Sequence, residues 1–231
     1  MSVPFSEMGD RSVTACLPSG TKAQLDALKP FFEAERERAR QLSMADTTGL
    51  NALEAAARMV LWREQKEALR RQGQLTDSKK ALVIGGLVQV LTERGWNRVW
   101  PRVPGPRQGR WPGAPQSGPW PEEDTIDLPA DLVTTVGAAC WHTSAEPIRL
   151  LRQWRERYPR AIPSRPTRSA CTIEALEEYQ RLSAAIITKG DVWRAAYAAG
   201  IRIAVERQRG MGMCRDRGHR TSAPYTVIKP A

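Results

Sequence analysis

Three consecutive residues in the stretch ITKGDVWRAAYAAGI, namely Thr188, Lys189 and Gly190, can bind a phosphate, because they stand where a helix should begin. The run Thr188-Lys189-Gly190-Asp191 precedes an amphipathic, Ala-rich segment. Threonine is a preferred N-cap residue, and the free N–H groups and positive dipole end of a helix attract anions. Lys189 adds a cation, and Gly190 lets a phosphate oxygen approach the backbone. Asp191 stabilises the same helix end but repels a phosphate, so a phosphate site and a capped core helix both stay open.

Arginine supplies most of the positive charge of this strongly basic chain, and it clusters between Arg149 and Arg168. Lys and Arg number 35 against 25 Asp and Glu, which gives a formal net charge of +10. Arg149, Arg152 and Arg155 recur at three-residue intervals, so a helix would carry them as one positive stripe. Arginine makes planar, bidentate contacts to phosphate, and such a stripe binds polyanions by counterion release. These three arginines are therefore predicted phosphate contacts, although an ordinary solvated surface explains each of them singly.

Patterns that signal catalysis or a cofactor are absent from the sequence. It contains neither a GxxxxGK[ST] loop nor a GxGxxG fingerprint after a strand. The groups CWH at 140–142 and CRDRGH at 214–219 supply four potential zinc ligands, but their spacing matches none of the common zinc patterns. The sequence therefore predicts no catalytic residues, no metal site and no cofactor.

Targeting signals also fail to appear. The N-terminal segment MSVPFSEMGDRS has neither a basic region nor an apolar region typical of a secretory signal. The longest apolar run, Ala81 to Leu91, is too short to span a membrane. The four cysteines are widely separated, which is typical of free thiols in a reducing compartment. We expect a cytoplasmic protein without membrane contact.

A segment rich in Pro, Gly and Trp divides the chain. Residues 100–123 have no usable periodicity, and proline removes backbone donors that a helix or central strand needs. The dipeptide Trp-Pro occurs there at Trp100, Trp111 and Trp120. These tryptophans either fold back onto the flanking domains or bind a partner. The predicted organisation is a helical domain at 1–99, a linker at 100–123, a second domain at 124–209 and a basic tail at 210–231.

Alternating residues predict three short strands, each followed by helices. Val13, Ala15 and Leu17 alternate with polar residues in RSVTACLP, and Ile126 and Leu128 do so in DTIDLP. TRSACTIE, from 167 to 174, shows a third strand pattern. Ser144 is predicted to cap a new helix. The predicted fold class is mainly α with short strands (α+β), made of strand-helix-helix units in both halves.

This order, with a Thr/Ser-Lys-Gly/Ser turn between the helices, resembles the ribbon-helix-helix family of DNA-binding proteins. The resemblance is best over 168–206, weaker over 124–157 and weakest over 11–71. It implies that two strands pair into an antiparallel ribbon that reads bases in the major groove. It also implies that the second helix holds a backbone phosphate at its N-terminus, through Thr188, Lys189 and Gly190. The base-reading residues it implies are Arg168 and Thr172 in one unit and Ser12 and Thr14 in another.

Together these features favour a non-enzymatic protein that binds double-stranded DNA, as a regulator or accessory factor of a plasmid, phage or bacterial chromosome. A lone ribbon strand cannot complete its sheet, which favours a homodimer. The alternative is a protein-interaction factor that binds and redirects a DNA-processing enzyme such as a recombinase, relaxase or replication initiator. The Trp-Pro linker and the charged helix from Phe31 to Leu42 indicate that alternative.

Overall fold

The computed structural model describes residues 9–103, 120–161 and 171–212, apart from the side chains of 44–47. This part of the chain forms seven helices and one two-stranded sheet. Its elements, in chain order, are β1 (Asp10–Leu17), α1 (Thr21–Ala27), α2 (Lys29–Thr47), α3 (Ala52–Arg71), α4 (Lys79–Glu93), β2 (Glu122–Pro129), α5 (Ala130–Arg157), α6 (Ile173–Ala184) and α7 (Lys189–Gly210).

The two strands pair with each other, one from each half of the chain. They are antiparallel, with Asp10 opposite Pro129 and Leu17 opposite Glu122. Alternate residues of each strand are buried, and the residues between them are exposed. One face of this ribbon therefore covers the core, as the period of two dictates, and the other faces solvent. The ribbon is complete within one chain.

Helices α4 and α7 lie against the inner face of the ribbon and cross each other in close backbone contact. A Cβ added at Gly86 would lie 2.1 Å from the carbonyl oxygen of Ala196 and 2.5 Å from the nitrogen of Gly200. A Cβ added at Gly200 would lie 2.4 Å from the carbonyl oxygen of Leu82. Only glycine leaves room for this approach. The main core therefore takes residues from both sides of the Pro-rich segment.

A second, smaller core lies between the end of α5 and α6. Trp154 is fully buried there, and its Nε1 donates to the carbonyl oxygen of Ala175 at 2.8 Å. Tyr179, Leu182 and Ile186 complete the cluster. This core fixes α6 against the arginine-bearing end of α5.

The two halves of the chain follow a similar plan. Each begins with a ribbon strand, continues with helices and ends with one helix of the α4–α7 pair. In each half a fully buried polar side chain accepts a hydrogen bond from the backbone just before that last helix. Glu35 accepts from the N–H of Thr76 at 3.3 Å, and Ser144 accepts from the N–H of Ile187 at 3.0 Å.

The predicted set of strand-helix-helix units is wrong, because the described chain is mainly helical with one two-stranded sheet. No third strand is found at the described end of the TRSACTIE segment. Thr172 instead caps α6, accepting from the N–H of Ala175 at 3.2 Å, and Arg168 lies outside the described residues. Ser144 does not start a helix either, since α5 continues through it as a single 28-residue helix.

The broader class of α+β holds. The boundaries proposed at 99, 123 and 209 stay predictions. None of the described helices is both long and apolar enough to cross a membrane.

Candidate nucleic-acid interface

The solvent face of the ribbon is a row of short polar side chains. Ser12, Thr14 and Cys16 project from β1 opposite Asp127, Thr125 and Glu123 of β2. The hydroxyls of Thr14 and Thr125 lie 3.1 Å apart at the centre of the row. Hydroxyls donate to and accept from base edges, and carboxylates accept from the amino group of cytosine. The same carboxylates repel phosphate, so this face favours base edges over the DNA backbone.

The first turn of α4 lies beside the ribbon and carries two lysines without an acid. Ser78 caps the helix, accepting from the N–H of Ala81 at 3.1 Å. The Nζ of Lys79 lies 2.7 Å from the carboxylate of Asp124, and Lys80 pairs with Asp10 at the start of β1. Both cations are therefore paired with ribbon carboxylates, and the free N–H groups of the first turn give this helix end its partial positive charge.

The first turn of α7 reaches the other end of β1, but it already holds an anion from its own chain. Thr188 donates its N–H and its hydroxyl to Asp191 at 2.8 and 2.7 Å, and the N–H of Asp191 donates back to the hydroxyl at 3.2 Å. Arg194 donates to Asp191 at 2.5 Å and to the carbonyl oxygen of Cys16 at 3.4 Å. Burial alone would raise the pKa of Asp191, but these hydrogen bonds hold it below its usual range.

This capping box makes α7 a well-capped helix, and the carboxylate stands near the place expected for a phosphate. Lys189 is exposed at the same helix end. A Cβ added at Gly190 would lie 3.2 Å from the guanidinium of Arg194, so the glycine leaves space for that side chain. The phosphate-binding roles of Thr188, Lys189 and Gly190 stay predictions.

The start of α4 rests on a network of buried charges. Glu35 is fully buried and accepts from Arg207 at 2.6 Å, and Arg207 also donates to the carbonyl oxygen of Gly73 at 3.1 Å. Just before the helix, the carboxylate of Asp77 binds Arg70 at 2.9 and 3.0 Å and Lys66 at 2.9 Å. Burial opposes its ionisation, yet the hydrogen bonds from Arg70 and Lys66 leave its pKa below the usual range. The network joins α2, α3 and α7 to this helix end.

The start of α7 rests on neutral groups instead. The hydroxyl of Ser144 donates to the carbonyl oxygen of Ile187 at 3.2 Å while accepting from its N–H. Two turns farther along, the hydroxyl of Tyr197 donates to Asp124 of the ribbon at 2.7 Å. Burial, reinforced by this bond to Asp124, raises the pKa of Tyr197 far above its usual value. A single ribbon carboxylate thus ties Tyr197 of α7 to Lys79 of α4.

The predicted arginine stripe lies on the second half of α5, next to the smaller core. Arg149 pairs with Glu146 at 2.8 and 2.5 Å, and Arg152 is exposed. The Nε of Arg155 is buried and finds no hydrogen-bond partner in the described chain. The structure therefore groups the three on one helix, and their contact with phosphate stays a prediction.

The tryptophans of the Trp-Pro segment make contacts within the chain where they are described. The ring of Trp100 stacks on His142 with centroids 5.8 Å apart, and the guanidinium of Arg98 lies 4.1 Å from the same ring. The guanidinium of Arg194 lies 4.3 Å from the ring of Trp120. These contacts match the fold-back alternative for both residues. Trp111 lies outside the described residues.

Sequence reasoning missed the residues that position this interface. Lys79 and Lys80 follow Ser78, which caps α4, but a cap followed by lysine is common in surface helices. Glu35 looked like one of many charges in a solvated helix, although its side chain is fully buried. A search of the described chain for clusters of His, Cys, Asp or Glu that could hold a metal ion finds none.

Comparison with known proteins adds nothing further, since no family model, curated protein or solved structure matches this chain. The candidate interface therefore depends on its own geometry: a two-stranded ribbon with a polar outer face, bordered by the N-termini of two crossing helices.

Proposed function

We propose that this protein binds double-stranded DNA without catalysing a reaction, with the β1–β2 ribbon lying in the major groove. The observation that carries the proposal is the position of the α4 and α7 N-termini, which contact the ribbon through Lys80 and Arg194. A two-stranded ribbon fits the width of the major groove of B-DNA. The helix ends beside it would then face the phosphates that border the groove.

The residues divide into two roles under this proposal. Ser12, Thr14 and Thr125 read base edges, because their hydroxyls project from the solvent face. Lys79 and Lys80 contact phosphate together with the free N–H groups of α4. The net charge of +10 supplies long-range attraction to a polyanion. The arginines of α5 and the basic tail add contacts that do not depend on base sequence.

The resemblance to ribbon-helix-helix proteins supports the proposed DNA binding, but it does not extend to a ribbon shared between two copies. Both strands of the ribbon belong to one chain, so the ribbon itself needs no second copy. We propose that the protein acts in the cytoplasm, as a regulator or accessory factor on a plasmid, phage or bacterial chromosome.

A second candidate function follows from the acidity of the ribbon. Asp10, Glu123 and Asp127 are exposed on or beside its solvent face, and neither strand places a cation in that row. Such a face suits a basic protein surface as well as base edges. The alternative is therefore a factor that binds a DNA-processing enzyme, such as a recombinase, relaxase or replication initiator.

Fluorescence anisotropy of the full chain tests the proposal, using a random duplex and a duplex from the gene's own locus over a salt series. We expect a preference for the locus duplex that survives physiological salt. The double variant Thr14→Ala/Thr125→Ala should lower that preference about tenfold while leaving random-duplex binding unchanged. Thr92→Ala, which alters an exposed threonine at the far end of α4, is the matched control.

If the double variant loses affinity equally for both duplexes, the ribbon does not read bases. No duplex binding by the wild-type chain at low salt would reject DNA as the ligand. Affinity capture with a Glu123→Gln/Asp127→Asn variant as the negative control would then test the protein-interaction alternative.

A further inference from the structure

Helix α3 carries an apolar stripe that the described part of the chain leaves uncovered. Leu53, Val60 and Leu61 are 82%, 54% and 55% exposed, and Ala57 between them is exposed as well. These positions follow the i, i+4, i+7, i+8 spacing of one helix face. None of the 20 residues of α3 is buried. The stripe is therefore a surface of the molecule and not part of its core.

Exposed apolar side chains are concentrated at this place. Six of the nine large hydrophobic residues that are exposed in the described chain lie between 42 and 61. The opposite side of α3 faces inward, where Trp62 and Leu69 line a cavity of about 520 Å³ shared with α2 and α7. The helix thus has an inner apolar side that the chain packs against and an outer one that no described residue covers. Contiguous exposed apolar surface of this kind marks an interaction site.

We propose that a second copy of this chain covers the stripe, with the two α3 helices antiparallel and crossing at Ala57. The stripe has the symmetry that such a pairing needs, because Leu53 and Leu61 lie four residues before and after Ala57. A two-fold axis through Ala57 places Leu53 of one copy against Leu61 of the other, and the reverse. The small Ala57 side chains let the two backbones approach each other. Val60 fills the space beside them.

Charges beside the stripe complement each other in the same arrangement. Glu54 lies three residues before Ala57 and Arg58 one residue after it, on the same flank of the helix. Antiparallel pairing brings Glu54 of one copy beside Arg58 of the other, and the contact occurs twice by symmetry. One oxygen of Glu54 accepts from the N–H of Asn51 in the capping box, which orients the carboxylate. The antiparallel helix dipoles add a further attraction.

The length of α3 limits the area that two copies can bury, and this area is typical of a weak but specific dimer. A helix of 20 residues is about 30 Å long, so two such helices would bury close to the lower limit of about 1,000 Å² for a specific interface. We therefore expect a dissociation constant on the order of micromolar. This dimer is independent of the ribbon and leaves its outer face free.

Sedimentation velocity on the full chain, from about 1 to about 200 μM, tests the proposal over the expected range. The mass should rise with concentration from 25.8 kDa toward twice that value. Leu53→Asp/Leu61→Asp should stay monomeric throughout with an unchanged circular dichroism spectrum. Val99→Asp is the matched control, because Val99 is 96% exposed and lies outside the stripe. A wild-type chain that stays at 25.8 kDa would overturn the proposal, and so would dimerisation that survives the double substitution.

Two further variants test the orientation. Glu54→Arg should weaken the dimer about fivefold, and adding Arg58→Glu should restore it, because the swap re-forms both cross-pairs. Ala57→Cys should form a disulfide-linked dimer on mild oxidation, since the axis brings the two Cβ atoms close together. Gln153→Cys, exposed on α5, is the control for random cross-linking. Absence of rescue together with cross-linking no faster than for Gln153→Cys would reject the antiparallel pairing.

Discussion

The two helices that border the ribbon differ in the charges of their first turns, although both begin after a hydroxyl N-cap. Helix α4 starts with a serine cap followed by two lysines, and its first turn contains no acid. Helix α7 starts with a capping box whose aspartate neutralises the helix end. An incoming anion meets two lysines paired with carboxylates of the ribbon at the first site, and a carboxylate of the helix's own first turn at the second. Equivalent positions in the fold therefore do not imply equivalent roles in binding.

The groups that support the two helix ends differ in the same way. A charged residue, Glu35, holds the backbone before α4 and is itself held by Arg207. A neutral residue, Ser144, does so before α7. A buried charge is costly to desolvate and costly to leave unpaired, whereas a buried hydroxyl costs little of either. The start of α4 should therefore tolerate the loss of one partner less well than the start of α7 does.

Both halves of the chain contribute a helix to the α4–α7 crossing. A substitution that disturbs this crossing should lower the free energy of unfolding more than any other change considered below. Gly86→Ala places a Cβ about 2 Å from the backbone of α7, so the helices must separate. We expect a loss of about 3 kcal/mol or more in unfolding free energy, measured by urea denaturation. Gly210→Ala is the control, because its Cβ meets no atom within 4 Å. Equal stability of the two variants would mean that the helices do not cross in contact.

Replacing each buried support separately should show how different the two halves are. Glu35→Gln keeps an acceptor for Thr76 but leaves the guanidinium of Arg207, 22% exposed, without its anion. We expect a loss of about 2–3 kcal/mol for this variant and about 1 kcal/mol for Ser144→Ala. Urea midpoints of both variants provide the measurement. A larger loss for Ser144→Ala would reverse the comparison.

Acid should weaken the start of α4 more than the start of α7. Hydrogen bonds hold the pKa values of both Asp77 and Asp191 below the usual range. The stability each provides is complete above the unfolded pKa of about 3.9 and is lost as pH falls through the lower folded pKa. Asp77 is only 2% exposed with two cationic partners, whereas the side chain of Asp191 is 35% exposed with one.

We therefore expect Asp77→Asn to flatten the acid limb of a stability–pH curve more than Asp191→Asn does. Urea midpoints between about pH 2 and pH 6 give the two slopes. Equal flattening in the two variants would show that the difference in solvent exposure does not change how much pH-dependent stability each carboxylate provides.

The smallest expected effect concerns single lysines and depends on the proposed DNA binding. Lys80→Ala should lower the slope of log affinity against log salt by about 0.9, equally for every duplex. Lys189→Ala should lower it less, because Asp191 keeps phosphate away from that helix end. Anisotropy titrations at several salt concentrations measure both slopes. A larger change for Lys189→Ala would place the phosphate at α7 after all.

Local patterns predicted the pieces of this fold better than their assembly. The alternation around Val13 and around Ile126 marks strands that the structure contains, and Thr188 caps its helix as expected. The pairing of the two strands, more than 100 residues apart, has no local signature. Each strand therefore resembled the start of a separate unit. Ser144 was expected to cap a helix because serine is a common N-cap. Its actual partner, Ile187, is far away in sequence and gives no local signal.

The candidate interface was less predictable than the elements around it. Its outward hydroxyls at Ser12 and Thr14 follow from strand alternation, so they were identified in advance. Thr125 and the lysines of α4 were not, because their importance comes from the neighbours that folding brings to them. The burial of Glu35 depends on Arg207, which lies 172 residues away. Tertiary contacts of this kind are invisible to periodicity.

The ribbon joins two strands encoded at separate places in one gene. In a ribbon made by two identical copies, every substitution appears twice and the surface keeps its two-fold symmetry. Here a codon change at Thr14 leaves Thr125 untouched. The outward residues of the two strands already differ, with two hydroxyls and a thiol on β1 and two carboxylates and a hydroxyl on β2. Each strand can therefore accumulate substitutions independently of the other. If the ribbon reads DNA as proposed, the site that it reads therefore need not be palindromic.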